Sequence, residues 1–209
     1  MAYVRPPPPD PKTEMAALET RIYQLVEAAR LKIDPKAKPL VLDAELAHVA
    51  REKSQDMATK RYMAHRAPDG QTSASLIMAE DANFQGLLGE NIAAQYYTKQ
   101  GGVDVETYAK RFVDTWLASK SHRDNLSFAD YDRTGIGAAV NGDTVYVTEL
   151  FSANLGLTTS PQGQQGAGDA RDKRTVSAYP DPATAKSAPS AKRVVRLRGA
   201  IGGATADGR

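Results

Sequence analysis

Two alternating apolar segments on either side of residue 142 restrict the fold of this chain more than any other feature. Ile136, Ala138 and Val140 stand at every second position, and Val145, Val147, Glu149 and Phe151 alternate in the same way on the return, as in half-buried strands. Asn141-Gly142 between them favours a type I′ turn, so the pattern predicts a β-hairpin. With the helical patterns described below, this hairpin predicts an α+β fold in which helices cover a mainly antiparallel sheet.

Three amphipathic helices are predicted before the hairpin. The first starts near Lys12 and ends before Pro35, the second is capped by Asp43 and ends near Lys60 or Tyr62, and the third is capped by Asp104. Their apolar stripes recur at helical spacing and predict the buried faces. These stripes comprise Leu18, Ile22, Leu25, Val26 and Ala29, then Leu46, Val49, Ala50 and Met57, then Val105, Tyr108, Ala109, Phe112, Val113 and Trp116.

Shorter elements complete the predicted order. Ser73–Glu80 is expected to form a helix that opens on a serine cap, and 90–97 a strand. Asp69-Gly70 predicts a turn, and Ser121–Leu126 one helical turn. The chain is therefore divided into a disordered Pro-rich N-terminus at 1–11, one domain at 12–157 and a disordered basic tail at 158–209.

Charge is distributed unevenly between the domain and the tail. From Gly156 onward there are nine Lys/Arg and four Asp, a charge of +5, which leaves −3 for the rest of the chain. The basic tail segment 192–198 is predicted to form a transient strand or to make a weak contact with an anionic partner. A simpler explanation of its charges is that they keep the tail soluble. No apolar run is long enough to span a bilayer, and the N-terminus lacks the apolar core of a signal peptide.

Several classes of site are excluded by what the sequence lacks. The chain has no cysteine, and therefore no disulfide, thiolate ligand or cysteine nucleophile. There is no Gly-x-Ser-x-Gly elbow and no phosphate-binding glycine loop. No specific nucleic-acid binding is expected, and a monomer is expected.

The candidate site residues are His65, Glu90 and His122. Each lies beside residues that are typical of turns or of helix starts. Two imidazoles and a carboxylate are a suitable ligand set for Zn²⁺ or another divalent metal, with a position left for water. Without metal, the same residues could form a hydrogen-bonded cluster. Each also has a simpler role, since His65 fits a solvated loop, His122 a turn cap, and Glu90 an ion pair with a neighbouring arginine.

Four further sets of residues have structural explanations. His48 lies opposite the apolar stripe of the second helix and is interpreted as a surface residue. Glu149 shares the face of Val145 and Val147, so its side chain could point toward the site. The commoner explanation is a glutamate that closes the edge of a strand. Gly135-Ile136-Gly137 is expected to relieve crowding within a strand. Core packing is the simplest explanation for the cleft candidates Tyr62, Tyr96 and Tyr131.

Read in order, these segments resemble the CAP superfamily of cysteine-rich secretory, antigen-five and pathogenesis-related proteins, in its cysteine-free bacterial branch. The resemblance covers residues 14–152. It is carried by Leu40-Val41-Leu42-Asp43, Leu46-Ala47, His65-Arg66-Ala67-Pro68-Asp69-Gly70, Gly89-Glu90-Asn91-Ile92-Ala93, Trp116, Ser119, His122-Arg123-Asp124-Asn125-Leu126, Tyr131, Gly135-Ile136-Gly137 and Tyr146-Val147-Thr148-Glu149-Leu150-Phe151.

The resemblance implies a three-layer α-β-α sandwich whose central cleft holds two histidines and two acids, with zinc in some members. The histidines correspond to His65 and His122 and one acid to Glu90, with Asn91 in the cleft. The second acid corresponds to Ser119, so the set is incomplete, and serine is a poor divalent ligand. An extracellular or periplasmic location is also implied.

Two functions follow from the resemblance and the residues. The favoured one is a non-enzymatic module that binds a lipid, sterol, glycan or protein partner. The other is a metal-dependent, peptidase-like hydrolase in which His65 and His122 hold zinc and Glu90 acts as ligand or base. The incomplete acid set favours binding.

Overall fold

The structure, a computed structural model, describes residues 8–154 and the backbone of residues 196–198. The predicted disordered segments, 1–11 and 158–209, lie outside the described residues except for 8–11, where Pro11 opens a 3-10 helix, and 196–198, which form a short strand. After a 3-10 helix at Pro11–Glu14, the helices are Met15–Ile33 (α1), Ala44–Lys60 (α2), Ser73–Glu80 (α3), Val105–Ala118 (α4) and Lys120–Leu126 (α5). The strands are Val41–Leu42 (β1), Gly86–Tyr96 (β2), Arg133–Asn141 (β3), Thr144–Asn154 (β4) and Arg196–Arg198 (β5).

The three long helices are confirmed together with their caps. The Asp43 carboxylate accepts hydrogen bonds from the backbone of Glu45 and Leu46 at 3.0 and 3.1 Å. Asp104 accepts one from the backbone of Thr107 at 2.9 Å. Each cap of this kind contributes about 1 kcal/mol to helix stability. The predicted stripes are buried at Leu18, Ile22, Val26, Ala29, Leu46, Val49, Ala50, Met57, Tyr108, Ala109, Phe112, Val113 and Trp116.

The predicted bounds of α3 are confirmed, but its predicted cap and the predicted start of β2 were wrong. α3 is capped by Thr72 rather than by a serine, in a capping box where Thr72 Oγ1 accepts from the backbone of Ser75 and Ser75 Oγ accepts from the backbone of Thr72. β2 begins at Gly86, four residues before the predicted start at Glu90. The glycines at 86 and 89 interrupt the apolar pattern by which a strand is recognised in the sequence. In the structure, the first residues of β2 all pair with β4.

The hairpin of β3 and β4 is confirmed, but its turn lies one residue later than predicted. Asn141 pairs with Thr144, so the two central residues are Gly142 and Asp143. Gly142 has a φ of 64°, whereas Asp143 is not among the residues with positive φ. A positive φ at the first central position alone fits a type II′ turn with glycine first, not the predicted type I′ turn.

The sheet has the order β1-β3-β4-β2-β5 and is mixed, with parallel pairing at β1–β3 and β2–β5 and antiparallel pairing elsewhere. α2 and α3 cover one face, and α1, α4 and α5 cover the other, which confirms the three-layer architecture. α2 lies so close to β3 that a Cβ at Gly137 would stand 2.1 Å from the backbone nitrogen of Arg51. Glycine therefore relieves crowding here, as predicted.

Candidate functional site

The loop after α2 carries His65 and is held in place at several points. Arg61 ends α2 in the left-handed region with a φ of 56°. Lys60 Nζ then bonds Asp69 at 2.6 Å across the loop, and Arg66 bridges to Thr72 just before α3. The imidazole of His65 is thus fixed between the end of one helix and the start of the next, with its side chain 26% exposed.

Glu90 meets His65 on the face of β2 that α2 and α3 cover. Its Oε1 lies 2.5 Å from His65 Nδ1, and its Oε2 accepts a hydrogen bond from the hydroxyl of Ser73. Because a carboxylate only accepts hydrogen bonds, Nδ1 carries the proton and Nε2 is left with its lone pair facing away from Glu90. At 4% exposure, Glu90 is a buried acid with both oxygens engaged.

α5 brings His122 to the neighbouring edge of β2 through two asparagines. Asn91 Nδ2 donates to the His122 carbonyl at 3.2 Å, and Asn125 Nδ2 contacts the Glu90 carbonyl at 3.2 Å and Asn91 Oδ1 at 3.0 Å. Asn91 is fully buried and joins α5 to the strand. The three segments predicted to converge therefore do meet around Glu90 and Asn91.

The imidazole of His122 is half-buried, and its Nδ1 is buried with no hydrogen-bond partner among the described residues. Burial lowers the pKa of His122, and the nearby His65 lowers it further. The two imidazoles are close enough to influence one another electrostatically.

These donors do not fit a metal centre with three protein ligands. Both oxygens of Glu90 are already hydrogen-bonded, one of them to His65. Within residues 8–154, no group of three or more His, Asp or Glu side chains is arranged to hold a metal ion. The assignment of His65, His122 and Glu90 as metal ligands therefore stays a prediction.

The sequence analysis missed a buried lysine and the large cleft beside it. The cleft has a volume of about 730 Å³ and runs along α2, and Lys53, only 2% exposed, forms part of its wall. Lys53 was recognisable because it falls on the apolar stripe of α2, between Val49 and Met57. The cleft is lined by His48, Arg51, Glu52, Lys53, Gln55, Asp56, Thr59, Tyr62, Ala67, Gln71, Thr72, Leu76 and Ala138.

Polar contacts link Lys53 to the end of α2. Lys53 Nζ donates to the Tyr62 hydroxyl at 3.0 Å and lies 4.9 Å from the centre of its ring. The Tyr62 hydroxyl donates in turn to Asp56 at 2.5 Å, and Asp56 also pairs with Lys60 at 2.7 Å. Burial lowers the pKa of Lys53, against the opposing influence of Glu90 and other acids. Tyr62, predicted to pack in the core, is therefore a polar contact in the wall of the cleft.

The sequence from residue 30 to residue 154 matches the model of the cysteine-rich secretory protein family, CAP. The chain belongs to this family.

Individual relatives of this CAP domain agree with the family match. YkwD, an uncharacterized protein of Bacillus subtilis, is 28% identical over 130 residues, which are 62% of this chain and 46% of YkwD. An extracellular Bacillus anthracis protein containing an SCP domain is 28% identical, with a TM-score of 0.53 over 73% of this chain and 46% of that one. An outer surface protein of Borrelia burgdorferi shares the fold, with 24% identity and a TM-score of 0.55 over 66% of this chain and 93% of that one. The chain thus spans less than half the length of the two Bacillus proteins.

In this CAP domain Ser119 lies between α4 and α5, at the position where the resemblance implies a second acid. Its hydroxyl is 3.2 Å from that of Ser121, its one side-chain hydrogen-bond partner among the described residues. A serine at this position leaves Glu90 as the acid that contacts a site histidine. None of the helices in the described part of the chain has the length and apolar character needed to cross a bilayer.

Glu149, the other candidate acid, lies on the opposite face of the sheet from Glu90. It pairs with Asn91 across β2 and β4 and is fully buried. Thr134 Oγ1 lies 3.4 Å from its Oε1, while its Oε2 has no partner among the described residues. Burial raises the pKa of Glu149 well above its usual value, and the nearby Arg30 opposes this only in part.

Proposed function

We propose that this CAP domain is a non-catalytic binding module that takes its ligand in the polar cleft along α2. The observation that carries the proposal is the state of Glu90, a buried acid whose two oxygens are held by His65 and Ser73. A general base needs an acceptor that can reach the substrate or an attacking water. Since Ser119 replaces the second acid, the described site has no free carboxylate beside its imidazoles.

In this proposal, the His65–Glu90–Ser73 contacts hold the site together. They join the loop after α2 to the start of α3 and to β2. Asn125 connects α5 to the same part of β2, because its side chain donates a hydrogen bond to the Glu90 carbonyl. Removing a buried hydrogen-bonded group of this kind leaves its partners unsatisfied, with a loss of about 1–3 kcal/mol for each.

We also propose that the domain works outside the cytoplasm. Support comes from the relatives, since the Bacillus anthracis protein is described as extracellular and the Borrelia burgdorferi protein as an outer surface protein. Exposure of the domain on intact cells to an added protease tests this location.

A metal-dependent hydrolase is the competing function, and one feature favours it. The hydrogen bond to Glu90 leaves Nε2 of His65 with its lone pair free, and carboxylates commonly orient metal-binding histidines in this way. A bound zinc ion supplies an acidified water in such enzymes. Here that ion would depend on His65 and His122 alone, because Glu90 is engaged.

Zinc titration by calorimetry, combined with a casein turnover assay, decides between the two functions. We expect the wild type and the His65→Ala/His122→Ala variant to give the same heats, and neither to cleave casein. His48→Ala is the matched control, because it removes an exposed histidine that lies beside Glu52 rather than Glu90. Zinc binding and zinc-dependent cleavage that are both lost in the double variant, but kept in the control, would refute the binding-module proposal.

A further inference from the structure

We propose that the cleft along α2 binds a neutral, hydroxyl-rich oligosaccharide, with Lys53 as a buried hydrogen-bond donor to it. This inference rests on the proposed binding function and names its ligand class. The cleft is separate from the histidine cluster, because His65, Glu90 and His122 are not among its lining residues. Its volume of about 730 Å³ lies within the range of 300–1,000 Å³ that is typical of ligand sites.

Lys53 is the group in the cleft whose hydrogen bonds are least complete. An ammonium carries three N–H donors, and the Tyr62 hydroxyl is the one hydrogen-bond acceptor that Nζ has among the described residues. None of the described carboxylates forms an ion pair with Lys53. A buried cation with unmet donors is unfavourable, so an oxygen acceptor from a ligand would be stabilising here.

The charges of the lining residues indicate that this ligand is neutral. Arg51 and Lys53 are balanced by Glu52 and Asp56, so the lining has a formal charge of zero when histidine is counted as neutral. Most of these charges also have partners within the protein. Arg51 bonds Glu19 at 2.6 Å, His48 lies 3.7 Å from Glu52, and Asp56 bonds Lys60. Among the described residues, Lys53 is the unpaired cation of this lining, and an anionic ligand would meet it within a cleft whose formal charge is zero.

The uncharged lining residues indicate a ligand that both donates and accepts hydrogen bonds. Gln55, Thr59, Gln71 and Thr72 contribute two amides and two hydroxyls, each able to do both. Gln55 already donates to Thr59 at 2.9 Å, which leaves further donor and acceptor positions on both groups. Sugar hydroxyls have the same dual character.

Apolar ligands match this cleft poorly. Its apolar side chains are Ala67, Leu76 and Ala138, and the ring of Tyr62 adds an aromatic surface. An acyl chain or a sterol needs a continuous apolar wall, because its binding depends on the apolar area removed from water. An extended peptide would similarly need pockets for its apolar side chains. The lining therefore favours a glycan over a lipid or a peptide.

Calorimetry with the full chain tests this assignment. The probes are neutral oligosaccharides of glucose, mannose and N-acetylglucosamine, alongside heparin, casein and phosphatidylcholine vesicles. We expect at least one neutral oligosaccharide to bind, with an affinity that does not change with added salt. Lys53→Met should weaken that binding about tenfold or more, because it removes a charged donor while keeping the side-chain volume.

Two further residues make the test independent of the buried lysine. Gln71→Ala lies in the lining and should also weaken binding, whereas Gln95→Ala removes an amide on β2 outside the cleft and should leave it unchanged. Thermal unfolding of each variant verifies that it is folded.

Each other result contradicts the assignment. If none of the neutral oligosaccharides binds, or if Lys53→Met and Gln71→Ala bind as the wild type does, the glycan site is wrong. Preferential binding of heparin, casein or vesicles would leave the binding module in place with a different ligand class. Zinc-dependent cleavage would instead refute the binding module, and with it the glycan assignment that rests on it.

Discussion

Replacing Glu149 with glutamine tests whether the core of the sheet contains a protonated carboxyl group. Glu149 is fully buried between β4 and the α1 layer, with a weak contact to Thr134 and an Oε2 that has no partner among the described residues. Burial is the largest influence on its pKa, Thr134 and Arg30 oppose it, and Glu27 acts in the same direction as burial. Glutamine keeps the shape of the side chain and removes its ability to ionise.

The direction of the effect follows from where each state binds its proton. Burial raises the pKa of Glu149 in the folded protein well above 4.5, its value in an exposed side chain. Well below pH 4.5, Glu149 is protonated in both the folded and the unfolded protein, so it does not make the free energy of unfolding depend on pH. As pH rises above this value, the unfolded chain ionises first, so the free energy of unfolding falls by about 1.4 kcal/mol per pH unit until the folded group ionises too.

The glutamine variant has no such loss, so its stability relative to the wild type should increase with pH. Urea unfolding at intervals between about pH 4 and about pH 8 measures the difference, which should be smallest at the acid end. Glu80→Gln is the control, because Glu80 is an exposed acid on α3 and its replacement should add no such slope. Parallel stability curves for the wild type and Glu149→Gln would show that Glu149 ionises normally and that the reasoning is wrong.

Three further substitutions test how the elements are held together. Gly137→Ala should destabilise the fold by about 3 kcal/mol, because the added methyl meets the backbone of Arg51; unchanged urea unfolding would contradict this close approach. Arg61→Gly should raise the free energy of unfolding by roughly 1 kcal/mol, since its left-handed φ suits glycine, and a decrease would show that the arginine side chain matters more. Asn125→Ala should cost about 2 kcal/mol and speed amide exchange in α5, and unchanged protection there would mean that other contacts hold that helix.

Local signals in the sequence predicted most of the elements. α4 is the clearest case, because Asp104 supplies its cap and residues 108–116 supply a stripe that is buried as expected. The start of β2 could not be predicted in the same way. Gly86 and Gly89 interrupt its apolar pattern, and the strand is defined by pairing with β4, which lies far along the chain.

The hairpin shows how a correct motif can give the wrong register. Asn141-Gly142 favours a turn with both residues in the centre, but the observed pairing shifts the centre to Gly142-Asp143. With β4 in this register, Val145, Val147 and Phe151 all face the larger apolar core. Because moving the turn centre by one residue shifts every cross-strand partner by two residues, these side chains face the same core in either register, and their burial does not explain the shift.

The contact between His65 and Glu90 was predicted only as one of several possibilities, because 25 residues and a helix separate them. Nothing local in either segment specifies that they meet. Lys53 was different, since a lysine on the buried stripe of α2 was visible in the sequence and pointed to a polar environment inside the domain. Its partner Tyr62 lies just beyond the end of the same helix, so this contact needed no long-range information.

Glu90 connects the histidine cluster to the cleft through its charge as well as its hydrogen bonds. Burial lowers the pKa of Lys53, and Glu90 is the first of the carboxylates that oppose this change. The same carboxylate orients His65 on one side and favours the charged form of Lys53 on the other. In the proposed glycan site, Glu90 would therefore favour the charged form of the Lys53 donor without touching the ligand.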